Sequence, residues 1–341
     1  MTSRFLTTRR ALAGLAALAT LTLAACGGGA KEGPKDEITF SILSTEKAQN
    51  METYWEPILA DMEKQTGLKV KPFFSSSYSA LIEAMRFKQT DLGWFSNQSG
   101  LEAVRRSNGE VFARTFDPSG TDGYTSVIIV PKDSKIQTID DLLKCDKTLN
   151  FGMGDAKSTS GTLAPMTGVF IPRGIKPENC FKTVLPANHQ SNLFAVANGK
   201  LDAATNNSTA IRLNRDRKEG QADKIRVIWT SEILPEDPIV WRKDLDPAVK
   251  EKVRQFFLTY GQGEGPEAER QRANMARLSI GGFKPADATH LLFVRHMEAM
   301  QQLGLAQEAG DKAKIAAAKA SIAEIETEQA AARAKAGASA N

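Results

Sequence analysis

The chain of 341 residues is 41% hydrophobic and 25% charged, a soluble globular composition with enough apolar residues for a large core and about two domains. Its formal charge is +4, and Arg4, Arg9 and Arg10 supply three of those charges. The remainder is therefore near neutral, and no Lys/Arg run with interleaved aromatics marks a nucleic-acid surface.

In chain order, the arginine cluster precedes an apolar run over 11–25 that is too short for a permanent span, and then Leu23-Ala24-Ala25-Cys26. This pattern resembles a bacterial lipoprotein signal, which implies export to the periplasm or cell envelope with Cys26 as the lipidated first residue. Thr8-Arg9-Arg10-Ala11-Leu12 is faintly similar to a twin-arginine signal. Residues 27–37, with three glycines and then A-K-E-G-P-K-D-E, read as a flexible tether.

Alternation predicts a strand over 38–43, and helical spacing of Trp55, Ile58, Leu59 and Met62 predicts a helix over 54–67 that stops at Gly67. A strand over 70–74, a helix over 79–88, a short strand over 91–95, a helix over 100–107 and a strand over 111–116 follow. This βα rhythm predicts an α/β sheet covered by helices. The apolar strand 123–130 reads as an exit from the first domain. A helix over 138–143 opens a second βα series, which runs through 151–170, 183–185, 191–198 and 203–204. A strand over 224–229 ends the series, and 238–241 returns to the first domain. Segments 247–260 and 285–303 read as helical. Residues 311–336 form an Ala-rich terminal helix whose sparse stripe, Ile315, Ile322 and Ile325, predicts weak docking. Cys145 and Cys180 in an exported chain read as a disulfide rather than free thiols; a zinc site would need more ligands than His189, alone in that region.

The densest chemistry lies in F-G-M-G-D-A-K-S-T-S-G, residues 151–161. A strand reaches two glycines and then Ser158, Thr159 and Ser160, just before a run over 162–170 that can continue as helix. Unpaired amides at a helix start, the positive end of its dipole and short hydroxyls together make an anion site. A nucleotide P-loop is excluded by spacing, because Phe151 and Ala156 occupy its glycine positions. An ordinary helix cap is the plain alternative.

Five blocks carry a family resemblance: I-L-S-T-E-K-A-Q-N (42–50), I-E-A-M-R-F (82–87), G-D-A-K-S-T-S-G (154–161), A-V-A-N-G-K-L-D-A-A-T-N-N (195–207) and D-P-I-V-W-R (237–242). Over about 38–283 the chain resembles the phosphonate-binding proteins of phosphonate ABC importers. The resemblance implies a class II periplasmic-binding-protein fold, with two α/β lobes joined by two hinge crossings. Lobe 1 would be 38–125 with 236–303, lobe 2 would be 126–235, and 304–341 a C-terminal helix. It further implies a phosphonate or phosphite ligand captured without a cofactor and delivered to an inner-membrane permease. Ser158, Thr159 and Ser160 would hold the oxyanion, Tyr78 and Tyr124 would donate phenolic O–H groups, His189 would approach from the second lobe, and Asp237 would face a substrate ammonium. No ligand role falls to His290 or His296. Neutral donors converging on a charged acceptor contribute about 1.5–3 kcal/mol each, which suits reversible capture.

One position departs from the pattern. Thr209 stands where members that bind aminoethylphosphonate carry a glutamate, so one of two anionic partners for an amine is missing. The expectation is weaker amine recognition and a ligand set reaching to alkyl or hydroxyalkyl phosphonates and phosphite. Two other classes compete with a binding protein. A secreted hydrolase would use Ser160, His189 and Asp237, although the chain has no G-x-S-x-G elbow. A structural lipoprotein would carry the cleft as a vestige.

Overall fold

The computed structural model describes residues 36–339; the expected leader and its Cys26 lie outside the described residues. The strands, in chain order, are β1 (Glu37–Ile42), β2 (Lys69–Phe74), β3 (Leu92–Trp94), β4 (Gly109–Phe116), β5 (Tyr124–Pro131), β6 (Asn150–Met153), β7 (Thr183–Pro186), β8 (Ala203–Asn207), β9 (Ile225–Leu234), β10 (Pro238–Arg242) and β11 (Gly282–Pro285). They form two sheets, ordered β11-β4-β10-β3-β1-β2 and β7-β6-β8-β5-β9. In the first, β1 pairs in parallel with β2 and β3, while β10 runs antiparallel to both β3 and β4. In the second, β6 is parallel to β7 and β8, and β5 is antiparallel to β8 and β9.

The chain passes between the sheets twice, from β4 to β5 and from β9 back to β10. The return takes three residues, Pro235, Glu236 and Asp237. Both crossings therefore sit beside the space between the sheets.

Burial explains the elements. The helix Ala48–Thr66 turns Met51, Trp55, Ile58, Leu59 and Met62 inward, and Gly67, at φ 68°, takes the left-handed conformation that ends it. Trp55 and Phe40 of β1 meet with ring centroids 4.9 Å apart, and Phe112 of β4 stacks on Trp241 of β10 at 3.8 Å. In the second half Phe151, Phe170 and Phe181 fill the space beside β6. Cys145 and Cys180 are joined in a disulfide, which in the chain-entropy picture contributes about 3–4 kcal/mol for a loop of this length.

Three of the elements that escape the sequence pattern bear on the layout. The helix Pro266–Ala276 buries only Ala268, Gln271 and Met275, so its apolar stripe is too thin to read. The helix Ser208–Asp216 follows β8 directly, and β11 is a four-residue edge strand. The terminal helix Lys312–Ser339 is also better anchored than its sparse stripe predicts. Ile325 is buried with Leu292 and Ala299, and Arg295 pairs with Glu328 at 2.6 Å.

Candidate oxyanion-binding cleft

Every residue expected at the site, apart from those in the crossings, follows the carboxyl end of a strand with a parallel neighbour: Tyr78 after β2, Ser158 to Ser160 after β6, His189 after β7 and Thr209 after β8. The crevice outside those ends is where open α/β sheets bind ligands, because loops there meet without disturbing the core. Tyr124 begins β5 and Asp237 ends the return crossing.

The turn after β6 has a specific build. Its helical segment, Thr159–Leu163, is of the wide π type, with Leu163 N–H donating to Ser158 C=O (3.1 Å) and Ala164 N–H to Thr159 C=O. Widening the turn lengthens the run of amides without a partner inside the helix. The Ser158 hydroxyl accepts one of them, from Gly161 (3.0 Å). Gly154 and Gly161 lie back to back: Gly154 N–H donates to Gly161 C=O (2.9 Å), and a Cβ on Gly154 would fall 2.5 Å from the Gly161 Cα. Gly154 lies outside the left-handed region, so glycine is required here by contact rather than by φ.

Around this turn the expected donors gather. Ser158, Thr159, Ser160, Tyr78, Tyr124 and His189 are all buried. Ser158 lies beside the Tyr78 hydroxyl and Ser160 beside that of Tyr124. Ser160 Oγ is 3.3 Å from His189 Nε2, and Tyr124 O–H donates to Asp237 Oδ1 at 3.4 Å. Burial foremost, then the charge of Asp237, raises both phenols above their ordinary range, so both remain protonated donors. Burial pushes His189 down to about 4, which leaves a neutral imidazole. The result is a pocket of uncharged donors.

Thr159 is placed differently from its two neighbours. Its Oγ1 accepts from the backbone of Gln98 (2.8 Å), at the start of the helix Asn97–Arg106 on the other sheet. Similar bonds cross nearby: Tyr78 N–H to Asp155 (3.1 Å), Ser96 Oγ to the Lys157 carbonyl (3.0 Å) and Lys47 N–H to Gln190 (3.2 Å). Glu46 and Arg217 add an ion pair at 2.7 Å. The two halves are thus closed on each other over the site.

Thr209 and Asp237 line a cleft of about 60 Å³ together with Tyr124, Trp94, Glu46 and Glu236, room for roughly four to six water-sized groups. Asn207 connects that cleft to the deeper turn, donating from Nδ2 to Ser160 Oγ at 3.3 Å. Sequence reading missed Asn207, Trp94, Glu46 and Glu236. Asn207 had a signal, since it ends a quoted block and caps the next helix by accepting from Ala210 (2.7 Å).

A hydrolytic triad does not assemble. Asp237 is bound to Tyr124 rather than to His189, whose buried Nδ1 has no partner among the described residues. Nothing orients the imidazole as a base.

A family model described as "ABC transporter, phosphonate, periplasmic substrate-binding protein" matches residues 40–291. The phosphonates-binding periplasmic protein of Escherichia coli is 40% identical over 272 residues, 80% of this chain and 79% of that protein. A crystal structure of a binding-protein component of an ABC phosphonate transporter from Pseudomonas aeruginosa superposes with a TM-score of 0.82 at 38% identity, covering 87% of this chain and 99% of that one. PhnD1 of Prochlorococcus marinus, solved with methylphosphonate, shares the fold, with a TM-score of 0.67 at 19% identity over 77% of this chain and 97% of that one. The chain belongs to the family of periplasmic substrate-binding proteins of phosphonate ABC transporters.

Proposed function

We propose that this protein captures a phosphonate, or the smaller phosphite, in the cleft between its two sheets and passes it to a membrane permease. The oxyanion sits against Ser158, Thr159 and Ser160, receives hydrogen bonds from Tyr78 and Tyr124, and lies beside His189; Thr209 and Asp237 face the organic end. The observation that carries this reading is the gathering of buried, uncharged donors at the turn after β6. The lobes are 38–125 with 236–303, and 126–235, and they hinge at the two crossings. Contacts made to the ligand by both lobes favour the closed arrangement.

The test is calorimetry and thermal unfolding with phosphate, phosphite, ethylphosphonate and sulfate. A phosphonate or phosphite should raise the melting temperature in proportion to the logarithm of its concentration over Kd. Folded protein that responds to none of the phosphorus oxyanions overturns the reading. We also place the protein on the membrane through a lipid on Cys26, supported by Leu23-Ala24-Ala25-Cys26 after the apolar run. Incorporation of a labelled fatty acid that Cys26→Ser abolishes is the expected result; labelling that survives the substitution contradicts it.

A further inference from the structure

The helix Ser208–Asp216 turns Thr209, Ala210 and Leu213 toward the ligand cleft, and its arginines reach past the cleft to the other half of the molecule. Arg212 donates from Nε to Ser279 Oγ at 3.1 Å and pairs with Asp117, a buried carboxylate in the crossing from β4 to β5. Arg217, at the helix C-cap, pairs with Glu46 at 2.7 Å and donates to the Arg277 carbonyl at 2.6 Å. Its guanidinium also lies over the Tyr54 ring, 4.3 Å from the centroid. None of these partners belongs to 126–235.

Isolated ion pairs in full contact with water contribute little. The Arg217 pair differs, because Glu46 is only 8% exposed and because the guanidinium is held by a carboxylate, a carbonyl and an aromatic face at once. A second residue of the same half grips Glu46: Gln190 Nε2 donates to it at 3.3 Å, while Gln190 Oε1 accepts from Lys47 N–H at 3.2 Å. Gln190 follows His189, so this clasp and the oxyanion turn meet at the start of one helix. The polarity repeats at two more places, where Lys157 meets Glu102 at 3.4 Å and Lys176 meets Glu308 at 2.8 Å. In each of these four pairs 126–235 supplies the cation and the rest of the chain the acid.

We propose that Arg212 and Arg217 are positioning residues that latch the closed arrangement, and so set how long any captured ligand is retained. This rests on the phosphonate reading above and adds to it a contribution that the ligand does not touch. A latch between protein groups shifts the population toward the closed state by the same amount whatever fills the cleft, so it strengthens every ligand by one factor. The donors gathered at the oxyanion turn are uncharged, which makes the arginines the salt-sensitive part of capture.

The test measures phosphite and ethylphosphonate by calorimetry and stopped flow, at one pH at which both are dianions. The double variant Arg212→Gln with Arg217→Gln should weaken both by the same factor, roughly 10- to 100-fold, mainly through faster dissociation. Arg215→Gln, exposed on the same helix, removes an equal charge and should bind as the wild type does. From about 20 to about 500 mM sodium chloride, across which the screening length falls severalfold, the wild type should lose affinity for both ligands alike and the double variant should change little. A loss confined to one ligand, a double variant that binds as the wild type does, or one that keeps the wild-type salt dependence overturns the latch. Should the double variant fail to fold, the wild-type salt series decides, and an affinity indifferent to salt overturns it. If neither compound binds the wild type, the phosphonate reading itself has failed.

Discussion

The double substitution Ser158→Ala with Ser160→Ala is expected to weaken ethylphosphonate binding by roughly 10²- to 10⁴-fold. Each hydroxyl offers a donor to a charged acceptor, worth about 1.5–3 kcal/mol, and no neighbouring group can replace it inside a closed cleft. Both side chains are buried, so water is poorly placed to substitute. Ser158 also caps the π turn through Gly161, and its loss should cost about 0.5–2 kcal/mol of stability. Binding must therefore be measured on protein whose circular dichroism shows it folded. Thr167→Val, in the next turn and bonded among the described residues to the carbonyls of Leu163 and Ala164, should leave affinity near the wild-type value. Equal losses in both proteins would mean that the segment matters as scaffold and not as ligand.

A comparable loss is expected from a single methyl group at Gly154. Its Cβ would lie 2.5 Å from the Gly161 Cα and 2.7 Å from the Gly161 carbonyl carbon, and backbone atoms cannot swing aside as a flexible side chain can. Either the end of β6 or the π turn has to shift. Both hold the site, since the Gly161 carbonyl also accepts from Thr205 at 2.7 Å. Overpacking of this kind costs about 1–3 kcal/mol, which for a chain of this size lowers the melting temperature by roughly 2–10 °C. Affinity should fall by more than about 100-fold, because hydrogen-bond donors displaced by an ångström no longer reach the oxyanion. Gly154→Ala protein with wild-type melting and binding would show that the close approach of the two glycines does not set the site's geometry.

Much of this arrangement is legible in the sequence. Ser158, Thr159 and Ser160 follow two glycines at the end of a strand, and that local pattern marked the turn after β6 at which the structure buries all three hydroxyl residues. β5 runs apolar in the ordinary way, whereas β8 is Ala-Ala-Thr-Asn-Asn and buried throughout. Less legible was whatever depends on tertiary neighbours. The π-type widening could not be read: Pro165, seven residues after the Ser158 cap, disfavours a regular helix there but does not specify a π turn. Nor could the role of Thr159 as a link to Gln98, since those residues belong to different sheets. Glu236 reaches the cleft that Thr209 lines only through folding, from another strand connection. The start of the helix Ala48–Thr66 was hidden for a local reason, as Lys47 caps it without a side-chain hydrogen bond.

The most direct measurement is a crystal structure of the protein grown with ethylphosphonate. The account predicts phosphonate oxygens at hydrogen-bonding distance from Ser158, Ser160, Tyr78 and Tyr124, with the ethyl group toward Thr209 and Asp237. A fully bound ligand whose phosphorus lies anywhere else, with those hydroxyls facing water, would contradict it.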